Sequence, residues 1–81
     1  MTTIKTTELR FADLDDVYDL AGRLAFAFVI DEDDALLFAG YALTGKNPSV
    51  AIMDAYKAKR LDSAATAIGI YRFLRDEVGG F

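Results

Sequence analysis

The stretch from Leu24 to Gly45 decides the fold, and it reads LAFAFVI, then DEDD, then ALLFAGYALTG. The two apolar segments are long enough that each must be buried, against the other or against a partner. The four acids between them are therefore expected at the surface. We call these acids, Asp31, Glu32, Asp33 and Asp34, the acid tetrad. It is the most conspicuous exposed feature that the sequence predicts, and no motif around it indicates a particular reaction.

The two apolar segments can form either helices or strands. In the helical interpretation, Asp33 or Asp34 caps a helix over residues 35–44. In the alternative, an α+β fold, residues 24–30 pair with residues 36–42 as a β-hairpin. Alanine is depleted in strands, and a connection of four acids lacks the Asn-Gly or Asp-Gly signal of a tight hairpin. The sequence therefore favours helices.

Apolar spacing and end signals predict three further helices. They run from about Leu14 to Val29 behind an Asp13 cap, from Pro48 to about Arg60 behind an Asn47 cap, and from an Asp62 or Ser63 cap to near Val78. The connections are short, which favours antiparallel neighbours. We expect residues 1–81 to form a single domain, a small all-α bundle of about four helices, with or without a short N-terminal strand or arm.

Apolar content is high for so short a chain. With glycine counted and tyrosine left out, it exceeds the roughly 45–50% of typical soluble domains. An 81-residue chain buries only about 60% of the surface that its unfolded form exposes. A homodimer or a stable partner is therefore expected, with four aromatic residues at the dimer interface: Phe26, Phe28, Phe38 and Tyr41.

The chain lacks the residues that several kinds of chemistry require. The chain has no cysteine and no histidine, so the commonest nucleophile, general base and zinc ligands are missing. An EF-hand loop starting at Asp31 would need glycine and glutamate where the chain has Leu36 and Ala42. We expect a non-enzymatic protein without metal or cofactor. No apolar run suits a signal peptide or a membrane helix, so a cytoplasmic location without membrane contact is expected.

Negative charge is concentrated in one half of the sequence. The net charge is −4, but residues 11–45 hold eight acids and one base. Helix caps explain part of this excess, since acids favour helix N-termini. Four adjacent acids exceed what a cap needs, so we predict that both acidic clusters bind a basic protein partner. These residues are Asp31, Glu32, Asp33 and Asp34, with Asp13, Asp15, Asp16 and Asp19. Direct binding to nucleic acid is not expected of so acidic a chain.

In size, acidity and lack of cysteine, histidine and enzyme motifs, the chain resembles the small phage-encoded inhibitors of bacterial defence, anti-CRISPR proteins among them. The resemblance covers the character of the whole chain and transfers no functional residue. It implies a non-enzymatic inhibitor that occupies a basic, nucleic-acid-binding surface of a partner protein by charge mimicry. The alternative is a structural or regulatory dimerisation module, whose acids keep the dimer soluble.

Overall fold

The computed structural model describes residues 14–79 and residue 81, and within them the chain is a bundle of four helices without strands. The helices are α1 (Leu14–Ala27), α2 (Glu32–Leu43), α3 (Ser49–Lys57) and α4 (Ala64–Glu77). The all-α prediction is confirmed. The hairpin alternative is wrong, because residues 36–42 lie inside α2. The predicted N-terminal strand or arm falls outside the described residues.

Helix α1 ends two residues earlier than the sequence predicts. Its last turn closes with a hydrogen bond from the Phe28 amide to the Leu24 carbonyl, 2.9 Å long. The Phe28 ring then packs on α4, edge-on to the Phe73 ring at 6.0 Å between centroids. It lies so close to Gly69 that a Cβ there would come within 2.9 Å of the ring. This contact fixes the direction in which the chain leaves α1.

Helix α2 is the centre of the bundle, since it contacts each of the other three helices. It begins earlier than predicted: Asp31 is the N-cap, so the other acids of the tetrad form the first turn. Acids at these positions stabilise the helix, because they lie near the positive end of its dipole. The buried stripe of α2, spaced i, i+3, i+4 and i+7, consists of Ala35, Phe38, Ala39 and Ala42. Three of these side chains are alanine, which lets the neighbouring helices approach Phe38 closely.

The last two helices begin at the turn signals in the sequence. The Asn47 side chain accepts a hydrogen bond from the Ser49 amide at 2.9 Å. The predicted Asn47 cap is wrong by one residue, because Pro48 is the N-cap and α3 begins at Ser49. Of the two candidate caps for α4, Ser63 is the one used: its hydroxyl accepts from the Thr66 amide at 3.2 Å. Helix α3 stops at Lys57, short of the predicted Arg60, because Lys59 takes a left-handed backbone conformation with φ 63°.

All four helices contribute buried side chains to the core. Its largest fully enclosed side chains are Leu24 from α1, Phe38 from α2, and Ile70 and Leu74 from α4. Alanines fill most of the remaining buried positions. None of the helices in the described part of the chain has the length and apolar character needed to cross a membrane.

Candidate functional site

The acid tetrad is not uniformly exposed. Asp31, Glu32 and Asp33 are at the surface, whereas Asp34 is only 5% exposed. The Arg60 Nε donates a hydrogen bond to Asp34 Oδ2 at 2.9 Å. The prediction that the whole tetrad binds a partner is therefore wrong for Asp34, whose carboxylate ties the first turn of α2 to the connection after α3. Its role is structural, because a buried carboxylate needs a partner.

Removing the Arg60 side chain is expected to destabilise the fold. In Arg60→Ala the Asp34 carboxylate would stay buried without its partner, and a buried acceptor left unpaired costs about 1–3 kcal/mol. Adding Asp34→Asn should recover part of the loss, since a neutral amide is easier to bury than a charge. Urea unfolding of both single variants and the double variant, followed by circular dichroism, measures the effect. An unchanged midpoint in Arg60→Ala would contradict the structural role.

Large apolar side chains accompany the three exposed acids. Phe26, at the end of α1, is 94% exposed, and Val29, in the connection to α2, is 82% exposed. Both lie within seven residues of the exposed acids along a connection held to α4 by Phe28. We call this surface the acidic tip. It consists of Phe26, Val29, Asp31, Glu32 and Asp33.

The second acidic cluster lies at the other end of α1. Asp15, Asp16 and Asp19 are exposed in its first turns, and Asp19 forms an ion pair with Arg23 at 3.3 Å. The rise of a helix puts Asp15 about 17 Å from Phe26 along the helix axis. The structure therefore does not bring the two clusters together. Asp13, predicted as part of this cluster, falls outside the described residues.

The four aromatic residues predicted at a dimer interface do not share one surface. Phe26 is exposed, but Phe38 is fully buried in the core, so its assignment to an interface is wrong. Phe28 is half-buried against Gly69. Tyr41 lies near the other end of α2, half-buried, with the Lys46 ammonium 5.9 Å from its ring centroid. Only Phe26 offers the wide exposure that an interface anchor needs.

Sequence reasoning missed an apolar groove between α3 and α4. It measures about 400 Å³, and two of its lining side chains, Met53 and Ile68, are 48% and 54% exposed. The signal was available: Met53 and Tyr56, three residues apart, add a second apolar face to α3, whose other face carries the buried Ala51, Ile52 and Ala55. A second apolar face on a helix already anchored in a core indicates a surface groove.

Two arginines in ion pairs have raised pKa values. The hydrogen bond with Glu77 raises the pKa of Arg23, and the hydrogen bond with Asp34 raises the pKa of Arg60. A base whose pKa is raised by folding contributes stability at every pH below its ordinary pKa. That stability is lost only as the pH rises through the raised pKa. Both guanidinium groups therefore stay charged at neutral pH, and neither pair is a pH switch.

The arrangement offers surfaces for docking. Among the described residues, no three carboxylates lie close enough together to hold a metal ion. Comparisons with protein-family models, with curated proteins and with solved structures found no match to this chain.

Proposed function

We propose that this chain is a non-enzymatic interaction protein that docks its acidic tip on a basic, nucleic-acid-binding surface of a partner protein. The acids would occupy that surface by charge mimicry. The observation that carries the proposal is the pairing of the widely exposed Phe26 and Val29 with three exposed acids at the start of α2, within seven residues along the chain. A partner of this kind is what an inhibitor of bacterial defence, the class that the sequence resembles, would act on.

Capping alone accounts poorly for the acidic tip. Each acid in the first turn of α2 stabilises the helix by about 0.3–1 kcal/mol through its interaction with the helix dipole. This explains the presence of the acids without a partner. It does not explain Phe26. Leaving such a side chain in water forgoes roughly 1.5–3 kcal/mol of burial. Protein interfaces are typically anchored by an exposed aromatic residue at the centre with charged residues around it.

The charge distribution supports a basic partner. Residues 14–45 hold seven acids and one base, whereas residues 46–81 hold four acids and six bases. The described acids of the tip and of the start of α1 form no ion pair with other described residues except Asp19 with Arg23. Acids without partners steer a basic protein toward the α1–α2 half and repel nucleic acid from it.

Site-specific cross-linking tests the proposal. A photoreactive phenylalanine analogue at Phe26 should cross-link a basic protein in an extract of the host cell. The same analogue at Leu37, an exposed position of α2 that lies outside the tip, should capture much less of it. With the purified partner, duplex DNA or RNA should displace the chain. Equal capture from both positions, or simultaneous binding of the chain and nucleic acid, would contradict the proposal.

The alternative, a structural or regulatory dimerisation module, is favoured by a different observation. The α3–α4 groove leaves Met53 and Ile68 half exposed in a chain that buries little of its surface. A dimer that covers this groove is compatible with the docking function, provided that dimer and complex exchange.

A further inference from the structure

The α3–α4 groove has an apolar centre. Its principal lining residues are Ile52, Met53 and Tyr56 from α3, with Ala67, Ile68 and Tyr71 from α4. Two turns of each helix face the groove, so it is about 11 Å long. A surface of this kind is stabilised when an apolar side chain of a partner fills it.

Both ends of the groove are basic. At one end Tyr56 also lines a neighbouring cavity, which is surrounded by Lys57, Lys59 and Arg60, with Asp62 as its acid. At the other end the Arg75 guanidinium donates a hydrogen bond to the Tyr71 hydroxyl at 3.4 Å. The surface that fits this groove therefore carries large apolar side chains together with acids.

The chain itself carries such a surface. The acidic tip combines Phe26 and Val29 with three acids, so its chemistry matches the apolar centre and the basic ends of the groove. Residues 1–13 hold two acids and two bases, so they lack the required negative charge. We propose that the α3–α4 groove receives the acidic tip of a second copy of this chain. The inference rests on the proposed function, since both assign docking to the same tip.

The position of the two surfaces favours a closed dimer. The 2.9 Å contact between Arg60 and Asp34, the residue that follows the tip, places the tip beside the end of the groove that carries Lys57 and Lys59 in the same chain. A two-fold axis near this contact would bring each tip to the other chain's groove, in two equivalent contacts. The dimer would cover the tip. Partner binding and self-association would then exclude each other. The protein would dock on its partner as the monomer, which dilution releases from the dimer.

A charge swap tests which surfaces meet. In one variant the tip is made basic (Asp31→Lys with Asp33→Lys), and in another the groove end is made acidic (Lys57→Glu with Lys59→Glu). Each variant alone should dimerise at least about tenfold more weakly than the wild-type chain, because like charges then face each other. An equimolar mixture should restore the dimer, since each tip would face a groove of opposite charge. Sedimentation equilibrium over a concentration series measures all three samples.

Three outcomes would overturn the proposal: a wild-type chain that stays monomeric at the highest soluble concentration, variants that dimerise like the wild type, or a mixture that stays monomeric. Circular dichroism checks that each variant is folded. Ile68→Glu tests the apolar centre of the groove by placing a charge there. Leu37→Glu, on the exposed surface of α2, is its matched control. Only the first should weaken the dimer, and equal effects would contradict a contact in the groove.

The same variants separate this inference from the proposed function. The Lys57→Glu, Lys59→Glu variant keeps the acidic tip intact, so it should bind the cross-linked partner at least as well as the wild-type chain. If it dimerises normally but still binds the partner, the groove inference fails alone. If the charge swap restores the dimer but no basic partner is captured through Phe26, the proposed function fails alone.

Discussion

Phe38→Ala is expected to lower the free energy of unfolding by about 3–5 kcal/mol, because truncating a buried phenylalanine removes its burial and leaves a cavity. Phe38 is fully enclosed and lies on α2, a helix that contacts the other three. A domain of this size has a total stability of only about 5–15 kcal/mol. The variant should therefore lose a large share of the stability of the fold.

Phe26→Ala is the matched control, since it removes the same atoms from a side chain that is 94% exposed. Substitutions at exposed sites usually change stability by less than about 0.5 kcal/mol. Urea unfolding at low protein concentration, where the monomer prevails, gives both values by circular dichroism. A loss of stability in Phe26→Ala as large as that in Phe38→Ala would mean that the roles of the two residues are misassigned.

Neutralising the acidic tip should slow association with a basic partner by about tenfold or more. The variant replaces Asp31 and Asp33 with asparagine and Glu32 with glutamine, and so removes three charges without changing side-chain size. Opposite charges act mainly on the association rate and on its dependence on salt. Phe26→Ala should instead speed dissociation, because truncating an aromatic anchor acts after the encounter.

The fold should survive neutralisation of the tip. Asparagine caps helices as well as aspartate does, and the Asp31 side chain makes no capping hydrogen bond that could be lost. Asp34, the acid of the tetrad with a structural partner, is left unchanged. Weaker interaction with the helix dipole costs on the order of 1 kcal/mol. A folded circular dichroism spectrum is the required control.

The sequence predicts the helices well because their ends are local signals. Ser63 caps α4 through an amide three residues away, and Asn47 bonds the amide two residues on. The alanine content of the central stretch correctly favoured helix over hairpin. The sequence places the start of α2 too late because several adjacent acids can each serve as a cap, whereas the structure has Asp31 in that position.

The burial of particular side chains could not be predicted in the same way. Asp34 is buried because Arg60, 26 residues away, reaches it, and no local pattern encodes that contact. Helix α2 is apolar on most of its surface, so its spacing does not by itself say that Phe38 faces inward and Leu37 outward. The three alanines flanking Phe38 in the buried stripe were the available clue. The α3–α4 groove depends on how two helices meet, which is a property of the folded bundle.

The most direct test of the acidic tip compares two variants that lose the same number of charges. One neutralises Asp31, Glu32 and Asp33, and the other neutralises the exposed α1 acids Asp15, Asp16 and Asp19. Association of each with the partner cross-linked through Phe26 is measured by stopped-flow at low and physiological salt. We predict a loss of at least about tenfold for the tip variant. At physiological salt we expect only a two- to threefold loss for the α1 variant, because its charges then lie beyond the Debye length of about 8 Å from the tip. Equal losses in the two folded variants would mean that overall charge, and not the tip, governs recognition.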